Sequence, residues 1–165
     1  MATDVIGARG EAIFTQLMTE FDTEAGPLFN PCFLGEKWPA LDFMVTLEGE
    51  FPATPFFFVQ VKTTRAGYTP RSHRLKAQVT AEQMRRLDAY PAPTYIVGID
   101  EVSKQGYLIA SRAEAGYSLS SIPTLYSLNR DTRALLWREV QDYWRRAAAP
   151  ILNSRFSEPH PEDRP

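Results

Sequence analysis

Cysteine is nearly missing from this chain: Cys32 is the single one in 165 residues. No intramolecular disulfide can form, and no metal cluster of the cysteine type can be built. Histidine is almost as scarce, with only His73 and His160, so a histidine-rich metal centre is excluded too. No run approaches the roughly 18 apolar residues of a membrane-spanning helix. The opening stretch MATDVIGARGEAIF lacks the long apolar core of a secretory signal. Positive charge is not in excess either. The formal net charge is -2, so any attraction to nucleic acid must come from a local basic patch. No Gly-x-Ser-x-Gly stretch offers a serine nucleophile, and no basic partner is indicated for Cys32. These absences predict a soluble cytoplasmic protein with no membrane segment. One domain over residues 1–152 is long enough to bury a core. The Pro-rich, charged tail 153–165 is expected to be disordered.

What is present is patterned. Ile13, Phe14, Leu17, Met18 and Phe21 recur at helical spacing and predict a helix over 5–21, with Glu11 at the edge of its apolar stripe. A short strand is expected around 28–34, another over 41–47 (LDFMVTL) and a third over 56–62 (FFFVQVK). The segment 65–79 holds Gly, Pro and four Arg or Lys residues and reads as an exposed loop. The stretch TAEQ, residues 80–83, is a capping box that opens a short helix with Ala81, Met84 and Leu87 inward. PAP at 91–93 ends it, and strands follow at 94–99 and 106–110. Asp131 is expected to cap a last helix reaching 148, with Leu136, Val140, Tyr143 and Trp144 inside. Its tryptophans read as core or dimer surface. The order predicts an α/β fold, a mixed sheet flanked by helices.

Two polar residues break the third strand's apolar run: Gln60 and Lys62, which share a face by alternation. A hairpin counted symmetrically about its turn sets Asp42 opposite Val61. Asp42 joins the face of Gln60 and Lys62 only through a one-residue shift or a bulge. If the three converge, a carboxylate, an amide oxygen and an ammonium meet at the rim of an apolar sheet. Charges there need a partner or a metal. Hard cations such as Mg²⁺ take oxygen ligands. Asp42 supplies a carboxylate, Gln60 its amide oxygen, Val61 its carbonyl, and Glu11 a second carboxylate, direct or through water. Lys62 would orient the attacking water or stabilise charge developing on a phosphate.

The ordered set Glu11, Asp42, Gln60-Val61-Lys62, helix and strand resembles the PD-(D/E)xK superfamily of restriction endonucleases and junction resolvases, over about residues 5–110. It is most similar to the DUF4365 group, whose members carry a similar VQVKTT strand and a Pro-led apolar strand like PAPTYIVGID. The resemblance implies a restriction-endonuclease-like fold and Mg²⁺- or Mn²⁺-dependent cleavage of DNA phosphodiesters, with Asp42, Gln60, Lys62 and Glu11 catalytic. It also implies a bacterial defence or mobile-element role, as a homodimer or as a subunit beside a sensor or ATPase. The family's usual acid is replaced by Gln60, as in related QxK effector nucleases. The basic set Arg65, Arg71, His73, Arg74 and Lys76 follows the active strand and would grip phosphates.

Plainer readings compete. Lys62 can extend from the strand end to solvent, Asp42 can be a turn residue, and Glu11 can be an ordinary solvated helix residue. The loop charges can be a solvated face. A nuclease-fold module that binds nucleic acid or a partner without cutting also fits the neutral amide and the low net charge.

Overall fold

The computed structural model describes residues 2–111, 118–147 and 154–156. Of the expected tail, all but 154–156 lies outside the described residues. Three α-helices are present among them: α1 Ala2–Met18, α2 Ala81–Asp88 and α3 Arg130–Arg146. Five strands, β1 Phe29–Phe33, β2 Phe43–Leu47, β3 Phe56–Thr64, β4 Thr94–Asp100 and β5 Gln105–Ala110, form one sheet in sequential order. Neighbours run antiparallel except β3 and β4, which run parallel. Parallel neighbours need a crossover; α2 lies in that connection. The α/β expectation holds.

Both faces of the sheet are covered. On one, Ile13, Phe14 and Met18 of α1 and Leu136 and Val140 of α3 pack with Phe43, Val45, Phe57 and Val59. On the other, Met84 and Leu87 of α2 join Leu41, Phe58, Leu75, Val79, Ile96 and Ile122. β3 therefore sends alternate residues into two cores, which is why its sequence is continuously apolar before Gln60. The α2 capping box forms as expected: the Thr80 hydroxyl accepts from Gln83 N–H, and the Gln83 amide oxygen accepts from Thr80 N–H.

Four expectations change. The first helix ends at Met18, so Phe21 lies outside it and is 78% exposed. The last helix is capped by the Asn129 side chain, which accepts from Thr132 N–H at 2.9 Å, while Asp131 lies inside the first turn. Segment 65–79 is not merely an exposed loop: Leu75, Ala77 and Val79 are buried, and Leu75 and Val79 bridge to Ile122 and Leu119. Its alternation Leu-Lys-Ala-Gln-Val is the period-2 signal of a half-buried extended strap. Finally, the β2–β3 register is one residue from the symmetric count: Phe43 faces Val59 and Val45 faces Phe57. The shift gathers the alternating apolar residues of β2 with Phe57 and Val59 in one core and keeps Gln60 out of it.

The two outer tryptophans of α3 serve the fold. Trp137 Nε1 donates to the Glu48 carbonyl at 3.1 Å, and Trp144 Nε1 to the Phe56 carbonyl at 2.8 Å. A buried pair ties the same helix to the end of α1. Arg133 bonds both Asp22 oxygens at 2.6 and 2.7 Å, and its Nη1 reaches the carbonyls of Leu17 and Leu128.

Candidate functional site

Asp42 precedes β2, where the ladder is doubled. Phe43 is the register partner of Val59, yet Asp42 N–H also donates to the Val59 carbonyl at 3.0 Å. Two residues thus answer to one, as in a β-bulge, and a bulge re-aims a side chain. The Asp42 carboxylate turns to the free rim of β3, where its Oδ2 accepts from Val61 N–H at 2.6 Å. Burial pushes the carboxyl above its ordinary value, against the pull of that N–H and of the Lys62 ammonium.

Lys62 and Gln60 lie on the β3 face opposite to Val61. Across β4 their register partners are Gly98 and Ile96. A side chain on Gly98 would meet Ile122 Cδ1 at 2.7 Å and Leu75 Cδ2 at 2.8 Å. These two branched residues occupy the room that a larger residue at 98 would need. Burial lowers the Lys62 pKa, and attraction to Asp42 opposes the shift. Gln60 is buried, and its Oε1 has no hydrogen-bond partner. Such an orphan acceptor costs about 1–3 kcal/mol.

Glu11 reaches the cluster from α1. Gly10 rests directly on β3: a Cβ there would stand 1.7 Å from Thr63 Oγ1. This contact sets the helix against the strand one residue from Lys62. Burial, and then the Asp42 charge, raises the Glu11 pKa. Glu11, Asp42 and Lys62 therefore form one electrostatically coupled group at the rim of β3. Among the described residues no group of three or more His, Cys, Asp or Glu gathers. A cation here would rest on two carboxylates, an amide oxygen and a carbonyl. The orphan Gln60 oxygen and the two carboxyls pushed toward neutrality suit oxygen ligands waiting for positive charge.

The basic residues of 65–79 stand in different surroundings. Arg65 Nε pairs with Glu101 at 3.1 Å. Arg74 is tied to Ser121, Nε to the hydroxyl and Nη2 to the carbonyl, both at 2.8 Å. His73, at φ 49°, stacks on the Tyr68 ring with centroids 4.5 Å apart. Arg71 and Lys76 are exposed. The Tyr68 hydroxyl shares a 2.8 Å hydrogen bond with that of Tyr107, which stands opposite Gly98.

Two residues escaped the sequence reading. Arg9 lies beside Gly10, and Glu101 is buried at the end of β4, its N–H donating to the Thr64 carbonyl at 3.0 Å. Arg9 and Arg65 both pair with Glu101. The only sequence signal was an Asp-Glu step ending a strand otherwise apolar. The clefts that flank α3, about 630 and 610 Å³, include none of the cluster residues. Among the described residues no helix is long and apolar enough to cross a membrane. Comparisons with protein-family models, with curated proteins and with solved structures found no match to this chain.

Proposed function

We propose that the chain is a metal-dependent endonuclease of PD-(D/E)xK type that hydrolyses DNA phosphodiesters at the rim of β3. The observation that carries this reading is the buried Gln60 Oε1 without a partner, in the cluster that couples Asp42 to Glu11 and Lys62. Asp42, Gln60, the Val61 carbonyl and Glu11 would hold Mg²⁺ or Mn²⁺. Bound there, the cation supplies Lewis-acid polarisation of the phosphate and charge against the developing anion. Asp42 keeps its position through Val61 N–H. The water oxygen bonds to phosphorus while one P–O ester bond breaks, leaving a phosphomonoester and a hydroxyl. Lys62 orients that water and donates hydrogen bonds to the phosphate oxygens as charge builds on them. Its lowered pKa eases exchange of a proton with the reacting groups. A role as a cytoplasmic bacterial defence or mobile-element effector, paired with itself or with a sensor or ATPase, belongs to the same proposal.

The test is nicking of supercoiled plasmid with Mg²⁺ or Mn²⁺, against EDTA and against Lys62→Ala. Metal-dependent nicking that disappears in the variant is the expected result. A second reading, a nuclease-fold module that binds DNA without cutting it, is favoured by the neutral amide at Gln60 and the small number of carboxylates. It requires DNA binding that is indifferent to metal and unchanged in Asp42→Ala.

A further inference from the structure

Glu101 has 6% of its side chain exposed, yet neither of its partners is buried. Arg9 meets one carboxylate oxygen and Arg65 the other, and the two arginine side chains are 59% and 62% exposed. A buried carboxylate needs compensation, but one buried arginine suffices for that. This chain shows as much at Asp22, where Arg133 is 7% exposed and serves both oxygens. At Glu101 two guanidiniums are used, and both are left at the surface. Each meets the carboxylate through Nε. Among the described residues Arg9 makes no other hydrogen bond and Arg65 has only its ion pair with Glu101, so the terminal nitrogens of both have no partner among those residues. Two guanidiniums face this one carboxylate, while the adjacent Asp100 carboxylate is engaged by Val102 N–H and the Ser103 hydroxyl.

We propose that Arg9 and Arg65, held on the two oxygens of Glu101, form a fork that binds a phosphate of the nucleic-acid strand, flanking the phosphate attacked at Asp42 and Lys62. This rests on the nuclease reading. The placement follows from Gly10. Its neighbours leave the helix about 100° to either side of the contact with Thr63. Glu11 is coupled to Asp42, ahead of β2, and Arg9 reaches Glu101, beyond β4 on the other flank of β3. Glu101 is bonded to Thr64, three residues past Val61, roughly 10 Å along the strand. That is too far for the reacting phosphate and suits a neighbouring one. Guanidinium nitrogens fixed by a carboxylate behind them are pre-organised for phosphate oxygens in front. Glu101 acts here as a positioning residue.

The test is fluorescence anisotropy of the full chain with a fluorescein-labelled DNA duplex, in EDTA and in Ca²⁺, over a series of salt concentrations. Arg65→Ala and Arg9→Ala/Arg65→Ala are compared with wild type, each checked for folding by thermal melting. One lost phosphate contact should flatten the slope of log K against log salt by about 0.9, and the double variant should bind about tenfold more weakly. Arg65→Ala leaves Arg9 on Glu101; it should show part of the loss and decides the matter if the double variant does not fold. Lys62→Ala, run in parallel with Mg²⁺, should lose cleavage. Wild-type binding with unchanged slope and affinity in the arginine variants would overturn the fork and leave the nuclease reading standing. A wild-type chain that binds no duplex in either condition would overturn both.

Discussion

Gly10→Ala sets two effects of opposite sign against each other. In a helix interior alanine is favoured over glycine by about 1 kcal/mol, so propensity alone predicts a more stable protein. Packing predicts the reverse. The new methyl would lie 1.7 Å from Thr63 Oγ1 and 2.7 Å from Thr63 Cβ and Cγ2. The threonine is part of β3, so α1 itself must lift. Overpacking costs about 1–3 kcal/mol and occasionally more; a contact this short belongs at the upper end, about 3 kcal/mol. Packing wins by about 2 kcal/mol, which for a chain of this size lowers the melting temperature by about 4–8 °C. Gly7, in the same helix, is the control, because a Cβ there meets nothing within 4 Å. Gly7→Ala should hold or raise the melting temperature. Differential scanning calorimetry of the two variants beside wild type measures both. A Gly10→Ala protein that melts with or above wild type would show that α1 does not rest on Thr63, and the placement of Arg9 and Glu11 would go with it.

Three further outcomes follow from the same contacts. Gln60→Leu removes the orphan buried oxygen and should raise stability by about 1–3 kcal/mol in urea denaturation while abolishing nicking; a loss of stability would mean that the amide is satisfied. Glu11 and Asp42 have folded-state pKa values raised by burial. The stability they contribute is present below the ordinary carboxylate range and is lost as pH rises through their raised values. The stability difference between wild type and Asp42→Asn, measured by melting without metal from acid to neutral pH, should therefore move against wild type as pH rises. A difference that is flat or of opposite slope refutes the assignment. Arg133→Met leaves Asp22 buried without its partner, at a cost of about 3–5 kcal/mol; a change under about 1 kcal/mol in urea denaturation would mean that Asp22 finds another partner.

The sequence made some of this legible and hid the rest for physical reasons. Elements with one dominant local signal were readable: the Thr80–Gln83 reciprocal cap, the apolar run of β3 and the Pro-bounded α2. So was the oddity of Gln60 and Lys62, because polar residues in an apolar strand are conspicuous. The register was not readable by counting. It is set by which residues of β2 share a core with Phe57 and Val59, and the doubled rung at Asp42 depends on a carbonyl of another strand. Glu101 was invisible because its partners lie 92 and 36 positions away, in α1 and after β3. The cap of α3 was misassigned because Asn129 and Asp131 are both good capping residues, and side-chain geometry alone decides between them.

The misreading of 65–79 bears most directly on chemistry. Its arginines and lysine are the visible feature, yet Arg74 is tied to Ser121 and Arg65 meets Glu101 through Nε alone. Leu75 is fully buried and, with Ile122, closes over Gly98, the partner of Lys62 across the sheet. Burial is the largest cause of the lowered Lys62 pKa, and a share of Leu75 in that burial is what a substitution there tests. Leu75→Ala should cost about 2–5 kcal/mol and, in the protein that remains folded, let water back toward Lys62. The lysine pKa then moves up toward its ordinary value, and the alkaline limb of the pH–rate profile for nicking moves up with it. Ile13→Val, in the core on the opposite face, controls for a loss of stability that does not touch Lys62. A limb that stays in place in Leu75→Ala while stability falls would mean that the strap only packs, and that the Lys62 pKa is set by Asp42 and the sheet alone.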